Sequence, residues 1–165
     1  MDDPLTAEEI IRLLGLEPLQ GEGGYFRQTW VRPALPGARD DVPEATAILY
    51  LITADSHSAL HRLQDDELFH FYLGDPCRML MLDPQRSVRE VILGPDLRAG
   101  MRVQHLVPGG TWQGTRLLPG GRFALLGTTM SPGFHPERFE LAQRSLLDDL
   151  DATDRSRVEP FLAPA

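Results

Sequence analysis

The sequence contains no lysine and no asparagine, and its one cysteine is Cys77. Without lysine, the chain cannot form a Schiff base with a carbonyl substrate or with pyridoxal phosphate, and it cannot supply the lysine of a phosphate-binding loop. A single cysteine excludes an intrachain disulfide and a zinc cluster built from several cysteines, which favours a reducing compartment.

The composition is that of a globular domain, and we expect one domain over residues 1–165. Hydrophobic residues make up 42% of the chain, and 24 acidic against 16 basic residues give a net charge of −8. This negative charge opposes binding to nucleic acid and to anionic membranes. The most apolar run, residues 45–54, is about half the length of a membrane span, and residues 1–4 lack the features of a secretory signal. We therefore expect a cytoplasmic protein.

Helical patterns occur near both ends of the chain. The run Thr6-Ala7-Glu8-Glu9 is a capping box, and Gly15 suits a left-handed helix cap, which together predict a short helix over residues 7–14. After Pro136, leucines spaced among charged residues predict a helical tail over about residues 136–162.

Between these helices, strand-length apolar segments recur about every 8 to 12 residues, with glycine- and proline-rich turns between them. This spacing predicts an all-β, antiparallel sandwich or barrel, because a parallel α/β fold would need helices between its strands. The predicted strands are Tyr25–Val31, Thr46–Thr53, His57–Leu63, Glu67–Leu73, Cys77–Leu82, Val88–Leu93, Val103–Val107, Thr111–Leu117 and Phe123–Met130.

The region over residues 57–74 holds the main candidates for chemistry. His57, His61 and Leu63 share one strand face because side chains alternate along a strand. Glu67 joins this face if residues 64–66 form a turn. Imidazoles and a carboxylate that converge inside a small barrel suit a divalent metal or a general base.

The same region resembles the first motif of the cupins, G-x5-H-x-H-x3-4-E-x6-G. The matching residues are His61, Leu63, Glu67 and Gly74. Residues 108–113 resemble the second cupin motif, P-x-G-x2-H, with Gln113 at the histidine position. The resemblance implies an antiparallel double-stranded β-helix, the cupin jelly-roll barrel, in which Leu63 and Gln113 alter two of the usual four metal-ligand positions.

Longer motifs resemble cupin family five, a group of small proteins of undefined function within the epimerase-like cupins. They are GEGGYFRQT at residues 21–29, DELFHFYLGDP at 66–76, and SPGF with FEL at 131–141. The resemblance covers about residues 15–143, which we expect to form the barrel core. The family label implies a fold but no particular reaction.

We expect no cofactor from these residues. Catalytic metal sites usually have about three protein ligands. Leu63 cannot coordinate a metal, and the neutral amide of Gln113 is better suited to hydrogen-bonding an organic ligand. If a divalent metal does bind, its candidate ligands are His61, Glu67, Gln113 and His57.

Other residues are candidates for contact with an organic ligand. The resemblance to epimerase-like cupins implies proton transfer next to a carbonyl, with His61 as the base, Glu67 as a catalytic partner, and Tyr72 or Tyr50 as an acid. Arg27 is suited to a phosphate or a carboxylate through its guanidinium group. The further ligand-binding candidates are Gln113, Phe69 and Gln104. His70 has the opposite parity to Glu67, so we expect it to point away from the cavity.

Three functions stay open on this evidence. The first is a metal-independent epimerase or isomerase acting on a small polar metabolite such as a sugar or a nucleotide-sugar. The second is a metal-dependent oxygenase or isomerase with an atypical ligand set, and the third is a non-enzymatic binding or storage module. A homodimer is expected in each case, because cupins commonly pair their sheets and exposed sheet edges favour pairing.

Overall fold

Two β-sheets face each other in the computed structural model, which describes residues 5–37 and 40–164. The helices in these ranges are α1 Ala7–Leu14 and α2 Ala152–Val158, with short 3-10 helices at Pro136–Arg138, Arg144–Leu147 and Glu159–Phe161. The strands are β1 Glu17–Pro18, β2 Tyr25–Arg32, β3 Ala45–Thr53, β4 Ser58–Leu63, β5 Glu67–Gly74, β6 Cys77–Leu82, β7 Val88–Leu93, β8 Gln104–Val107, β9 Trp112–Leu117, β10 Phe123–Met130 and β11 Phe139–Leu141.

The first sheet has the strand order β1-β2-β3-β10-β5-β8, and the second has the order β11-β4-β9-β6-β7. Every strand pair in these two orders is antiparallel. The all-β fold expected from the sequence is confirmed, and each predicted strand is present with ends that differ by at most one residue.

Two short strands were not expected. β1 pairs with the start of β2, and β11 pairs with β4. β11 lies inside the segment predicted to be a helical tail, so that prediction is wrong over Phe139–Leu141. Three residues are too few to establish a strand period, and this strand forms because it completes the edge of the second sheet beside β4.

Helix α1 begins and ends as its sequence predicts. The Thr6 side chain accepts a hydrogen bond from the Glu9 backbone N–H, the Glu9 carboxylate accepts one from the Thr6 N–H, and Gly15 caps the helix in the left-handed conformation with φ of 59°. Ile10 is buried with Leu51 against one end of the outer face of the first sheet. The described residues contain no helix with the length and hydrophobicity needed to cross a bilayer.

The space between the sheets is filled at one end and open at the other. At the filled end, Ile52, Leu126 and Phe71 of the first sheet pack against Cys77 and Met79 of the second sheet. Toward the opposite end, the inward positions on the same strands of the first sheet become polar and include Thr46, Thr128 and Glu67. This change along the strands places the candidate site.

Candidate functional site

A cavity of about 240 Å³ lies between the sheets, where β3 and β5 begin and β10 ends. Its lining combines apolar and aromatic side chains with a smaller polar group. The polar residues that line it are Gln20, Glu22, Gln28, Thr46, His61, Glu67 and Thr128. The structure therefore brings His61 and Glu67 into one enclosed space, as the alternation of strand side chains predicts.

His61 projects from β4 and is only 3% exposed. Its Nδ1 lies 2.8 Å from the backbone oxygen of Ala59, and because a carbonyl can only accept, Nδ1 carries the proton of this bond. The ring stacks on Phe139 with a centroid distance of 5.3 Å. In the neutral imidazole, Nε2 is consequently left as an acceptor held in a defined orientation by the Ala59 bond and the Phe139 ring.

Glu67 is the first residue of β5, and its side chain is buried. Its Oε2 accepts a 2.8 Å hydrogen bond from Nε2 of Gln113, which lies directly opposite His61 on β9. Burial raises the pKa of Glu67 above its ordinary value of 4.5, and the nearby His61 partly opposes that rise. Glu67 thus protonates more readily than an exposed glutamate.

Glu22 is a site residue that the sequence reasoning missed. It lies in the loop before β2, where its backbone oxygen accepts a 2.8 Å hydrogen bond from the Ala59 N–H. Its Oε1 accepts a 2.7 Å bond from the Ser58 hydroxyl and lies 3.8 Å from Nδ1 of His61, too far for a hydrogen bond. The glycines around Glu22 mark this loop in the sequence, but they indicate only a turn.

Tyr50 closes the same corner of the cavity. Its hydroxyl donates a 2.8 Å hydrogen bond to the backbone oxygen of Gly23. Burial, and then the charge of Glu22, raise the pKa of Tyr50 well above 10.0, so the phenol stays protonated at neutral pH. Of the two tyrosines considered as an acid, Tyr50 is the one that lines the cavity.

Tyr72 lies outside the cavity, which corrects its expected role as a catalytic acid. The pairing of β5 with β10 contains a bulge beside Tyr72, and the side chain is 52% exposed on the outer face of the first sheet. It stacks there on His70, whose ring centroid is 6.2 Å away. His70 points away from the cavity, as its parity predicts.

Three other candidates also lie elsewhere. Gln104 is on the outer face, with Nε2 3.3 Å from Nδ1 of His70. Arg27 is exposed because its neighbours Phe26 and Gln28 take the inward positions of β2. His57 precedes β4, and its Nε2 lies 3.2 Å from the backbone oxygen of Leu162, near the C-terminal 3-10 helix. Phe69, in contrast, lines the cavity as expected.

The donor set does not fit the metal centre that the cupin resemblance implies. Over residues 5–37 and 40–164, no group of three or more His, Cys, Asp or Glu side chains is arranged to hold a metal ion. His57 is turned away, and Leu63 contributes only hydrocarbon. The amide nitrogen of Gln113 donates a hydrogen bond to Glu67, and the Oε1 of Gln113 is buried without a hydrogen-bond partner.

Comparison with known families decides the classification. The family described as "Cupin superfamily (DUF985)" matches residues 8–142, most of the chain. The chain belongs to this cupin family. A crystal structure of protein SO0799 from Shewanella oneidensis is similar to this cupin, with 30% identity, a TM-score of 0.87, and coverage of 98% of this chain and 100% of the other.

The names of two further proteins that are similar to this cupin state no activity. A hypothetical protein from Leishmania major has 28% identity and a TM-score of 0.85, with 97% of this chain and 100% of the other covered. The uncharacterized protein YML079W from Saccharomyces cerevisiae is 27% identical over 128 residues. That match spans 68% of this cupin and 64% of the yeast protein, less than two thirds of its length.

Proposed function

We propose that this cupin binds a compact organic metabolite in the cavity and that Nε2 of His61 accepts a proton from it. The observation that carries the proposal is the buried imidazole itself. Nδ1 of His61 is occupied by the Ala59 carbonyl, and the ring is packed on Phe139 at the cavity wall. A base held in one tautomer and one orientation is the arrangement that proton transfer requires.

The surrounding groups support an isomerase or epimerase reaction next to a carbonyl. In that reaction, Nε2 of His61 removes a proton from the carbon beside the carbonyl, and the electron pair of the C–H bond moves to form an enol. The protonated, neutral form of Glu67, which its raised pKa favours, supplies a proton to the carbonyl oxygen. With a hydroxy-carbonyl substrate the intermediate is an enediol: His61 returns its proton to the former carbonyl carbon, and the neighbouring enediol hydroxyl returns a proton to Glu67. The carbonyl has then moved by one carbon, and both side chains regain their starting states.

The size of the cavity restricts the substrate. Pockets for drug-sized ligands enclose about 300–1,000 Å³, and this cavity measures about 240 Å³. No arginine is among its described lining residues to receive a diphosphate, because Arg27 faces outward. A single sugar, or another metabolite of that size, therefore fits better than a nucleotide-sugar.

Solvent exchange tests the proposal directly. A panel of small aldoses, ketoses and amino-substituted carbonyl compounds is incubated with the protein in D₂O, and NMR measures deuterium uptake beside the carbonyl. We expect His61→Gln to slow this uptake by about 100-fold or more. The matched control is His70→Gln, on the outer face, which keeps the wild-type rate.

The outcomes separate the candidate functions. Uptake that is equally fast in His61→Gln contradicts a role for this base. Binding without uptake, seen as a rise in Tm with ligand, supports the non-enzymatic module instead. If the panel shows neither binding nor uptake, that result contradicts the cavity as a functional site.

The homodimer expected from the cupin resemblance stays a prediction. The outer face of the first sheet exposes three large apolar side chains, Trp30 at 50%, Tyr72 at 52% and Leu106 at 48%. Burying them against a second copy would remove apolar surface from water. Light scattering should then report twice the chain mass of 18.4 kDa, and a mass of one chain would contradict the dimer.

A further inference from the structure

The charged groups around the cavity have one sign. Glu22 and Glu67 line it, whereas none of the described lining residues is an arginine and the chain has no lysine. An anionic ligand would therefore meet no opposite charge inside the cavity, and its desolvation would go uncompensated.

His61 offers a hydrogen-bond acceptor to the cavity. His61 is 3% exposed, its Nδ1 donates to Ala59, and Nε2 is the acceptor left on its cavity side. Within the described part of the chain, the hydrogen bond that His61 makes is the one through Nδ1. A ligand group that meets His61 at Nε2 must therefore bring a hydrogen-bond donor.

Aromatic rings make up much of the remaining lining. They belong to Phe26, Tyr50, Phe69, Phe134 and Phe139. Phe134 meets Phe139 edge to face at 6.3 Å, and Phe139 in turn stacks on His61. The faces of such rings attract organic cations, and their edges pack well around an apolar body.

These three observations select one ligand class. We infer that the cavity takes a small organic cation, a primary ammonium ion with an apolar or aromatic body, whose nitrogen binds between Glu22 and His61. An ammonium group has three donors and no acceptor, which complements Nε2 of His61, and its charge complements the carboxylate of Glu22. This inference rests on the proposed binding function and names the ligand chemistry for the same cavity.

Three probes of one shape test the inference by titration calorimetry at pH 7. Benzylamine, which is protonated at this pH, is compared with benzyl alcohol, its neutral counterpart, and with benzoate, its anionic counterpart. We expect benzylamine to bind about tenfold more tightly than benzyl alcohol, which is the effect of one charge-assisted contact, and benzoate to bind most weakly.

A pair of variants assigns the preference to the cavity. Glu22→Gln keeps the shape of the side chain but removes its charge, and we expect it to reduce the preference for benzylamine to about threefold or less. Glu17→Gln removes the same charge from an exposed position on β1 outside the cavity and should keep the wild-type ratio. If Glu22→Gln does not fold, the ranking of the three probes on the wild-type protein still decides the question.

The results distinguish this inference from the proposed function. Equal binding of benzylamine and benzyl alcohol, or tighter binding of benzoate, overturns the choice of a cation while leaving a ligand cavity in place. A preference that is the same in Glu22→Gln and wild type also overturns it. Failure of the wild-type protein to bind any of the three probes also overturns the choice of a cation, whereas the proposed function is decided separately by the binding and deuterium-uptake panel of carbonyl compounds.

Discussion

Gln113 donates a 2.8 Å hydrogen bond to Glu67, and this bond joins the second sheet to the first at the wall of the cavity. The nitrogen of the amide makes this bond, and its own Oε1 is buried without a partner. An unsatisfied buried acceptor costs roughly 1–3 kcal/mol. The hydrogen bond that holds Glu67 between the sheets is therefore accompanied by a local loss of stability at Gln113.

Replacing Gln113 should show how much its hydrogen bond to Glu67 contributes to the stability of the protein. Gln113→Leu leaves a buried carboxyl group without its donor, which costs more than the unpaired amide oxygen that the same change removes, and we expect a net fall of about 1 kcal/mol in the free energy of unfolding at pH 7. Gln104→Leu makes the same chemical change on the outer face and should change it by less than about 0.5 kcal/mol. Urea denaturation measures both values, and equal losses in the two variants would rule out a special role for the Gln113–Glu67 bond.

The raised pKa of Glu67 predicts a definite pH dependence of stability. The folded protein holds a proton on this buried group at pH values where the unfolded chain, with a pKa near 4.5, has released it. The unfolded state thus binds fewer protons, and the contribution of Glu67 to stability falls as the pH rises from 4.5 through the folded pKa.

The Glu67→Gln variant should lack the contribution of Glu67 to the pH dependence of stability. We expect the free energy of unfolding of the variant to decline less steeply than that of wild type above pH 4.5. Urea titrations at a series of pH values provide the comparison, and Glu17→Gln on the exposed strand β1 serves as the control. Parallel curves for wild type and Glu67→Gln would contradict the raised pKa.

The loop that carries Glu22 should tolerate substitution at one glycine and not at another. Gly21 and Gly23 both have left-handed backbones, with φ of 82° and 97°. A β-carbon at Gly21 would meet no heavy atom within 4 Å, whereas one at Gly23 would overlap the backbone oxygen of His57. Alanine at either position costs roughly 1–2 kcal/mol of backbone strain.

Gly23→Ala carries the additional cost of displacing that backbone. We expect its free energy of unfolding to fall by about 1–3 kcal/mol more than that of Gly21→Ala. Ligand binding should also weaken selectively in Gly23→Ala, because the Gly23 carbonyl anchors Tyr50 and the adjacent Glu22 lines the cavity. Similar stabilities for the two variants would show that the loop can move away from His57.

The thiol of Cys77 should be unreactive toward thiol reagents in the folded protein. It is fully buried among apolar side chains, and this burial raises the pKa of its thiol to about 12. We expect no reaction with a thiol-specific disulfide reagent at neutral pH until the protein is unfolded in urea, because the thiolate is the reactive species. Rapid labelling of the native protein would indicate that the filled end of the barrel opens.

Local patterns were sufficient for most of the secondary structure. The nine expected strands and helix α1 depend on alternation, turn residues and a capping box, all of which act within a few residues along the chain. β11 was not predicted because its three residues become a strand only when β4 is beside them.

Some residues of the candidate site were likewise predictable from local patterns, and others were not. His61 and Glu67 were predicted because they share a parity across a short turn, whereas the bond between Ser58 and Glu22 connects residues 36 positions apart. Tyr72 has the same parity as His70, so alternation along β5 already places it on the outer face, and its expected role as an acid conflicted with that pattern. Gln104 and Arg27 were misplaced because both faces of their strands contain polar residues.

The amino-acid sequence alone determined the strand content, the cupin resemblance and the pairing of an imidazole with a carboxylate on one face. Only the tertiary structure decided which tyrosine lines the cavity, that Glu22 joins it, and that no arginine is among its described lining residues. The reason is physical: alternation is a property of one strand, but the surroundings of a buried side chain are set by strands and loops that are distant in the chain.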